Sequence, residues 1–157
     1  MKRLVFFVAL LVIALATDAQ SPLNVWIKMP PTITQDGLVA GTTDLPDGTI
    51  LSLGIRARPG FVWHLDPACT ADYSVRVAVV HGAFGPVGLP ILECLPPGDY
   101  AWDIVMQASF MQPSKVIAVI GKTGDGLAGP LVKRDSRSDI LGPDVEAIIP
   151  MTLVGAQ

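Results

Sequence analysis

The sequence predicts an all-β domain, an antiparallel sandwich of about seven strands. Three observations carry that expectation. Apolar and polar residues alternate with a period of two in five segments, as they do when one strand face meets a core and the other meets water. Turn residues separate those segments, with 15 Gly and 14 Pro in 157 residues. That content suits many short strands and does not suit a helical bundle. Beyond the first nineteen residues, no stretch sustains a 3.6-residue period.

The chain begins with Lys2 and Arg3, then runs apolar and uncharged over 4–16, and reaches small residues at Thr17-Asp18-Ala19. This pattern is that of a signal-peptide helix cleaved after Ala19, leaving a single domain over 20–157. An uncleaved anchor is the alternative, but a span needs about 20 apolar residues and this run stops at Asp18. With no Cys near the cleavage site, a lipoprotein is disfavoured. The expected location is periplasmic or extracellular, with no stable membrane span after cleavage.

The predicted strands follow. Leu23, Val25, Ile27 and Met29 alternate with polar or opposite-facing residues, which puts Trp26 on the other face. A shorter strand covers 38–43. Leu51, Leu53, Ile55 and Ala57 share a face, as do Tyr73, Val75, Val77 and Val79. Tyr100, Trp102, Ile104 and Met106 form a third such row, and Val145, Ala147, Ile149, Met151 and Leu153 a fourth. All four rows are expected to face the core. Pro150 lacks an amide donor, so the last strand is expected at an edge or at a bulge. Between the strands, Leu45-Pro46-Asp47-Gly48-Thr49 supplies Pro for a fixed φ and Gly for a positive one. His81-Gly82 can close a hairpin between Val80 and Ala83. Residues 114–120 read either as a helix capped by Ser114 and stopped by Gly121, or as a buried strand; periodicity does not separate the two over so few residues. Residues 59–70 and the mixed-charge stretch 133–144 read as loops.

The net charge is −3, and losing Lys2, Arg3 and Asp18 with the leader leaves the domain acidic. Without a Lys/Arg cluster to neutralise phosphates, nucleic acid is excluded as a partner. Cys69 and Cys94 are the two cysteines. In an oxidising compartment they read as a disulfide, closing a loop of about 25 residues and contributing about 3 kcal/mol. Two separate thiols, or half of a metal site with His64 or His81, are the alternatives, though neither His stands at a finger-like spacing.

Four motifs in order carry a resemblance: 41–49 (GTTDLPDGT), Leu95-Pro96-Pro97-Gly98-Asp99-Tyr100, Gln112-Pro113, and Gly121-Lys122-Thr123-Gly124 through Gly129-Pro130-Leu131-Val132. Over about 35–135 the chain resembles a group of uncharacterised exported bacterial proteins with immunoglobulin-like or fibronectin-III-like sandwich domains. The LPPGxY segment also occurs in transthyretin-like and collagen-adhesin repeat domains. The resemblance implies an immunoglobulin-like or transthyretin-like sandwich and export. It brings no catalytic residue and no cofactor.

Chemistry-bearing patterns are sparse. Gly121-Lys122-Thr123 suggests a phosphate loop, but the first glycine of that motif would stand at position 116, which is Val. His64, Asp66 and His81 could serve a small metal-dependent hydrolase, yet no serine stands in a nucleophile elbow. Asp66 before Pro67 also reads as a turn residue. Catalytic residues, a metal site and a cofactor are therefore not expected. The aromatics say more. Phe61, Trp63 and His64 in the 59–70 loop, together with Trp26, form the candidate binding surface, which Phe110 and Met111 could extend. The expectation is a non-catalytic binding, assembly or accessory module whose partner is another exported or cell-envelope protein. A carbohydrate-binding module is the alternative.

Overall fold

Alternation along the chain becomes pairing in two main sheets and one separate strand pair. The computed structural model describes residues 21–57, 71–135, 138 and 142–156. Its strands are β1 (Leu23–Asn24), β2 (Ile27–Lys28), β3 (Thr32–Thr34), β4 (Leu38–Thr43), β5 (Ile50–Ala57), β6 (Ser74–Ala78), β7 (Ala83–Gly88), β8 (Gly98–Met106), β9 (Leu127–Ala128), β10 (Val132–Lys133) and β11 (Asp144–Val154). Helix α1 (Ile91–Cys94) precedes β8; a 3₁₀ turn at Ser109–Met111 and helix α2 (Ser114–Ile120) follow it. The protein is mostly β, as expected.

The larger sheet is built on β8, which pairs antiparallel with β5 on one side and β11 on the other. Beyond β5 lies β6, and the far edge of β11 is shared by β10, antiparallel, and β3, parallel. A second sheet runs β2-β4-β7. Strands β1 and β9 form a separate parallel pair. Leu51, Leu53 and Ile55 of β5, the row from Tyr100 to Met106, and Val145, Ala147, Met151 and Leu153 of β11 are buried in one cluster with Ile27, Val39 and Phe84 of the second sheet. Trp102 is fully buried and its indole N–H donates to Pro30 O at 3.0 Å. Gly41 is required where the second sheet meets Phe84, because a Cβ there would run into the Phe84 ring.

Local turn chemistry performs as read. Thr49 N–H donates to Pro46 O at 3.0 Å across the turn, and Gly48 has φ +88°. A side chain at Gly48 would also run into Lys115. His81 and Gly82, at φ +52° and +72°, make a two-residue hairpin closed by reciprocal Val80–Ala83 bonds, the backbone twist that suits flanking strands.

Several expectations are corrected. The predicted strand over 23–29 divides in two. Trp26 N–H donates to Asp44 Oδ1 and Trp26 O accepts from Thr43 Oγ1, so side chains take over where the segment changes partner from β9 to β4. Residues 114–120 are helical, with Val116 and Ile120 buried one turn apart and Val119 exposed. Ser114 is its first helical residue and does not cap it; Pro113 O accepts from Val116 and Ile117, while Gly121 ends the helix at φ +80°. Tyr73 is 54% exposed. The last rung between β5 and β6 is Gly54–Ser74, so Tyr73 precedes the paired part of β6. Val80, the expected flank of the 81–82 hairpin, is exposed there.

Pro150 lies in an interior strand. Glu146 and Thr152 donate their N–H groups to Leu131 O and Pro31 O, on the side of β11 away from β8. Alternate amides of a strand point the same way, so the Pro150 nitrogen faces the gap between β10 and β3, where no ladder bond is lost. In the mixed-charge stretch Lys133, Arg134 and Asp135 are exposed, as expected; Lys133 closes β10, and Arg134 donates to Gly124 O and Leu127 O.

Candidate functional site

Of the surface predicted from sequence, Phe61, Trp63 and His64, like Asp66 and Cys69, lie outside the described residues. Trp26 lies within them and is 41% exposed. Its backbone is clamped on both sides by Thr43 and Asp44, so the indole is presented outward from a fixed point. Lys28, the next residue on the same face, sets its ammonium 5.2 Å from the ring centroid, within cation–π range. Asp44 also lines an open cavity of about 420 Å³ together with Leu23, Pro46 and the exposed Val119. Asp44 thus links the fixed backbone of Trp26 to that cavity.

His81 occupies the β6–β7 hairpin with its imidazole almost wholly exposed, and Nδ1 lies 3.5 Å from Asp47 Oδ2. Asp47 Oδ1 accepts from Gly82 N–H. The pair steadies a turn. Cys94, at the end of α1, packs half-buried against the core and is engaged, not free.

The outward face of the larger sheet carries charge. Arg56 on β5 donates through Nε and Nη2 to Asp103 Oδ2 on β8, at 3.2 and 2.9 Å, and reaches Glu146 on β11 at 3.3 Å. Bonding to Asp103 holds the guanidinium above its ordinary pKa. Arg56 is exposed and both acids are partly exposed, and such surface pairs contribute little to stability. On the other face, burial pushes the Tyr100 phenol up, and its hydroxyl donates to Pro96 O at 2.8 Å.

At the end of that charged face, segment 107–112 folds over the sheet. Strand β8 stops at Met106, which leaves the next rung of β5 without a neighbour. The Gln112 amide fills that place. Its Oε1 accepts from Ile50 N–H at 2.8 Å, and its Nε2 donates to Ile50 O at 3.3 Å and to Gln107 O at 3.2 Å. A cavity of about 180 Å³ results, lined by Ile50, Ser52, Arg76, Gln107, Met111 and Gln112. Met111 and Phe110 are both exposed there, as the sequence suggested. Arg76, Ser52 and Gln107 were not marked by any sequence signal, because alternation places a residue on an outer face without showing what covers it. Gln112 had one signal, its place in the Gln112-Pro113 motif.

Elsewhere, buried polar side chains support the scaffold: Thr43 and Thr49 bond to backbone carbonyls, and Ser138 to Asp135. No family model matches the chain, and no curated protein or solved structure matches it significantly. Among the described residues no helix is long and apolar enough to cross a membrane.

Proposed function

We propose that the protein is an exported, non-catalytic immunoglobulin-like sandwich module that binds another exported or cell-envelope protein through the surface around Trp26. The observation that carries this reading is the exposed indole on a backbone fixed by two hydrogen bonds, one of them to Asp44, which also lines an open cavity. Aromatic anchors on rigid supports carry disproportionate interface energy, since little ordering entropy is lost when they bind. The strand order supports the immunoglobulin-like form. Sheet β2-β4-β7 corresponds to strands A, B and E, and β6-β5-β8-β11 to strands C′, C, F and G. Tyr100, near the start of β8 and bonded to a carbonyl four residues upstream, supports it further as a tyrosine corner.

The test is a crosslinking pull-down from the exported fraction with wild-type protein, Trp26→Ala and Trp26→Phe. Loss of one hot-spot anchor costs about 2 kcal/mol, or roughly thirtyfold in affinity. Trp26→Ala is expected to lose a defined protein partner by that factor and Trp26→Phe to regain most of it. The melting temperature should barely move, because both bonds at position 26 belong to the backbone. Equal capture by Trp26→Ala overturns the surface. Tryptophan fluorescence quenched by cell-wall glycans, with no protein captured, turns the reading to carbohydrate.

Export and the Cys69–Cys94 bridge belong to the same proposal and share one measurement. Intact mass after alkylation in denaturant without reductant is expected to match a chain starting at Gln20 with no adduct. Retention of the first nineteen residues counts against export. Adducts on both thiols remove the bridge.

A further inference from the structure

Two arginines stand on the outer face of the larger sheet, and they are treated differently. Arg56 is shared by Asp103 and Glu146. Arg76 on β6 has neither an ion pair nor a hydrogen bond among the described residues, in a chain where 14 acidic residues outnumber 11 basic ones. Its rung runs through Ser52 and Val105 to Glu146, and Glu146 is occupied by Arg56. Arg76 instead lines the cavity of about 180 Å³ under segment 107–112.

The remaining walls define what fits. Ser52 contributes a hydroxyl and Gln107 an amide, and neither side chain has a hydrogen-bond partner among the described residues. No carboxylate lines the cavity among the described residues. Gln112 is spent on three backbone bonds and forms a rigid wall. Ile50 and Met111 make the wall apolar, and a thioether adapts to the shape set against it. A fork of guanidinium donors with neutral polar groups beside it matches a planar carboxylate. The volume admits that group and a short aliphatic portion.

We propose that the Arg76–Ser52–Gln107 cavity binds the carboxylate of a small acid with a short aliphatic group, Arg76 receiving the anion and Ile50 with Met111 the aliphatic part. Such a carboxylate has two sources, a free short-chain acid or the C-terminus of a peptide. This site is separate from the Trp26 surface, and its failure leaves that reading untouched.

The experiment is an amide-resolved NMR titration of the full mature chain with butyrate, with acetyl-Ala-Ala, and with the C-terminal amide of that peptide. Saturable shifts at Ser52, Arg76 and Gln107 are expected with an acid and not with the amide. Arg76→Gln should weaken binding about tenfold or more, since a charge-assisted pair is replaced by a neutral one, with the melting temperature unchanged. Tighter binding of acetyl-Ala-Ala than of butyrate identifies a peptide terminus as the source. Equal or weaker binding of the peptide identifies a free acid. The proposal is overturned if neither acid saturates, if the amide binds as well as the acid, or if Arg76→Gln binds like the wild type.

Discussion

Trp102→Ala is expected to destabilise the protein by about 4 kcal/mol, the middle of the range for truncating a buried aromatic side chain. The side chain is fully buried in the central strand of the larger sheet. Its removal deletes apolar contacts on the inner face and leaves Pro30 O without the indole donor. A domain of this size has only about 5–15 kcal/mol in hand, so the variant sits near the limit of folding. Trp102→Phe gives a second reading that survives if alanine does not fold. It keeps most of the apolar volume and loses the hydrogen bond, and it should cost about half as much. Urea unfolding followed by circular dichroism measures both. A loss below about 1 kcal/mol for Trp102→Ala would mean that β8 is not the centre of the core.

Gln112→Ala should come next in size, at roughly 3 kcal/mol. A single amide satisfies Ile50 N–H, Ile50 O and Gln107 O, and the side chain is only 6% exposed. Each buried polar group left unpaired costs about 1–3 kcal/mol, reduced where water reaches it. Gln112→Glu separates hydrogen bonding from shape. An ionised carboxylate can accept from Ile50 N–H, but its other oxygen, also an acceptor, then faces the carbonyl oxygens of Ile50 and Gln107. Protonation restores one donor. The folded state thus raises the Glu pKa above its ordinary value of about 4.3. The deficit relative to wild type should then be smallest below the unfolded pKa and grow as pH rises through the folded one. A deficit independent of pH would show that Gln112 acts by packing alone.

Much of the scaffold was legible because it is written in local terms. The inward rows Leu51–Leu53–Ile55 and Tyr100–Trp102–Ile104–Met106 follow from alternation, and the turns at 46–49 and 80–83 from Pro46, Gly48 and Gly82. The candidate sites were less legible. Trp26 could be placed outside the core from its phase in the pattern. Its clamping by Thr43 and Asp44, eighteen residues away in the case of Asp44, could not be read from that phase.

By itself, then, the sequence determined most of the inward-facing residues, where the chain turns, and that the architecture is β. Each of those depends on side-chain hydrophobicity over a few neighbouring residues and on the φ that Pro or Gly imposes. Tertiary structure decided where pairing stops. Tyr73 is exposed one residue before the first β5–β6 rung, and Pro150 is tolerated inside a sheet because its nitrogen faces the gap between β10 and β3. Residues 114–120 became a helix because two residues one turn apart, Val116 and Ile120, are buried. Gln112 completes a rung for Ile50, sixty-two residues earlier, and Arg76 lines a cavity while Arg56 is taken by two acids. These outcomes depend on the register between strands distant in sequence, and a pattern with period two is the same on every strand whichever neighbour it meets.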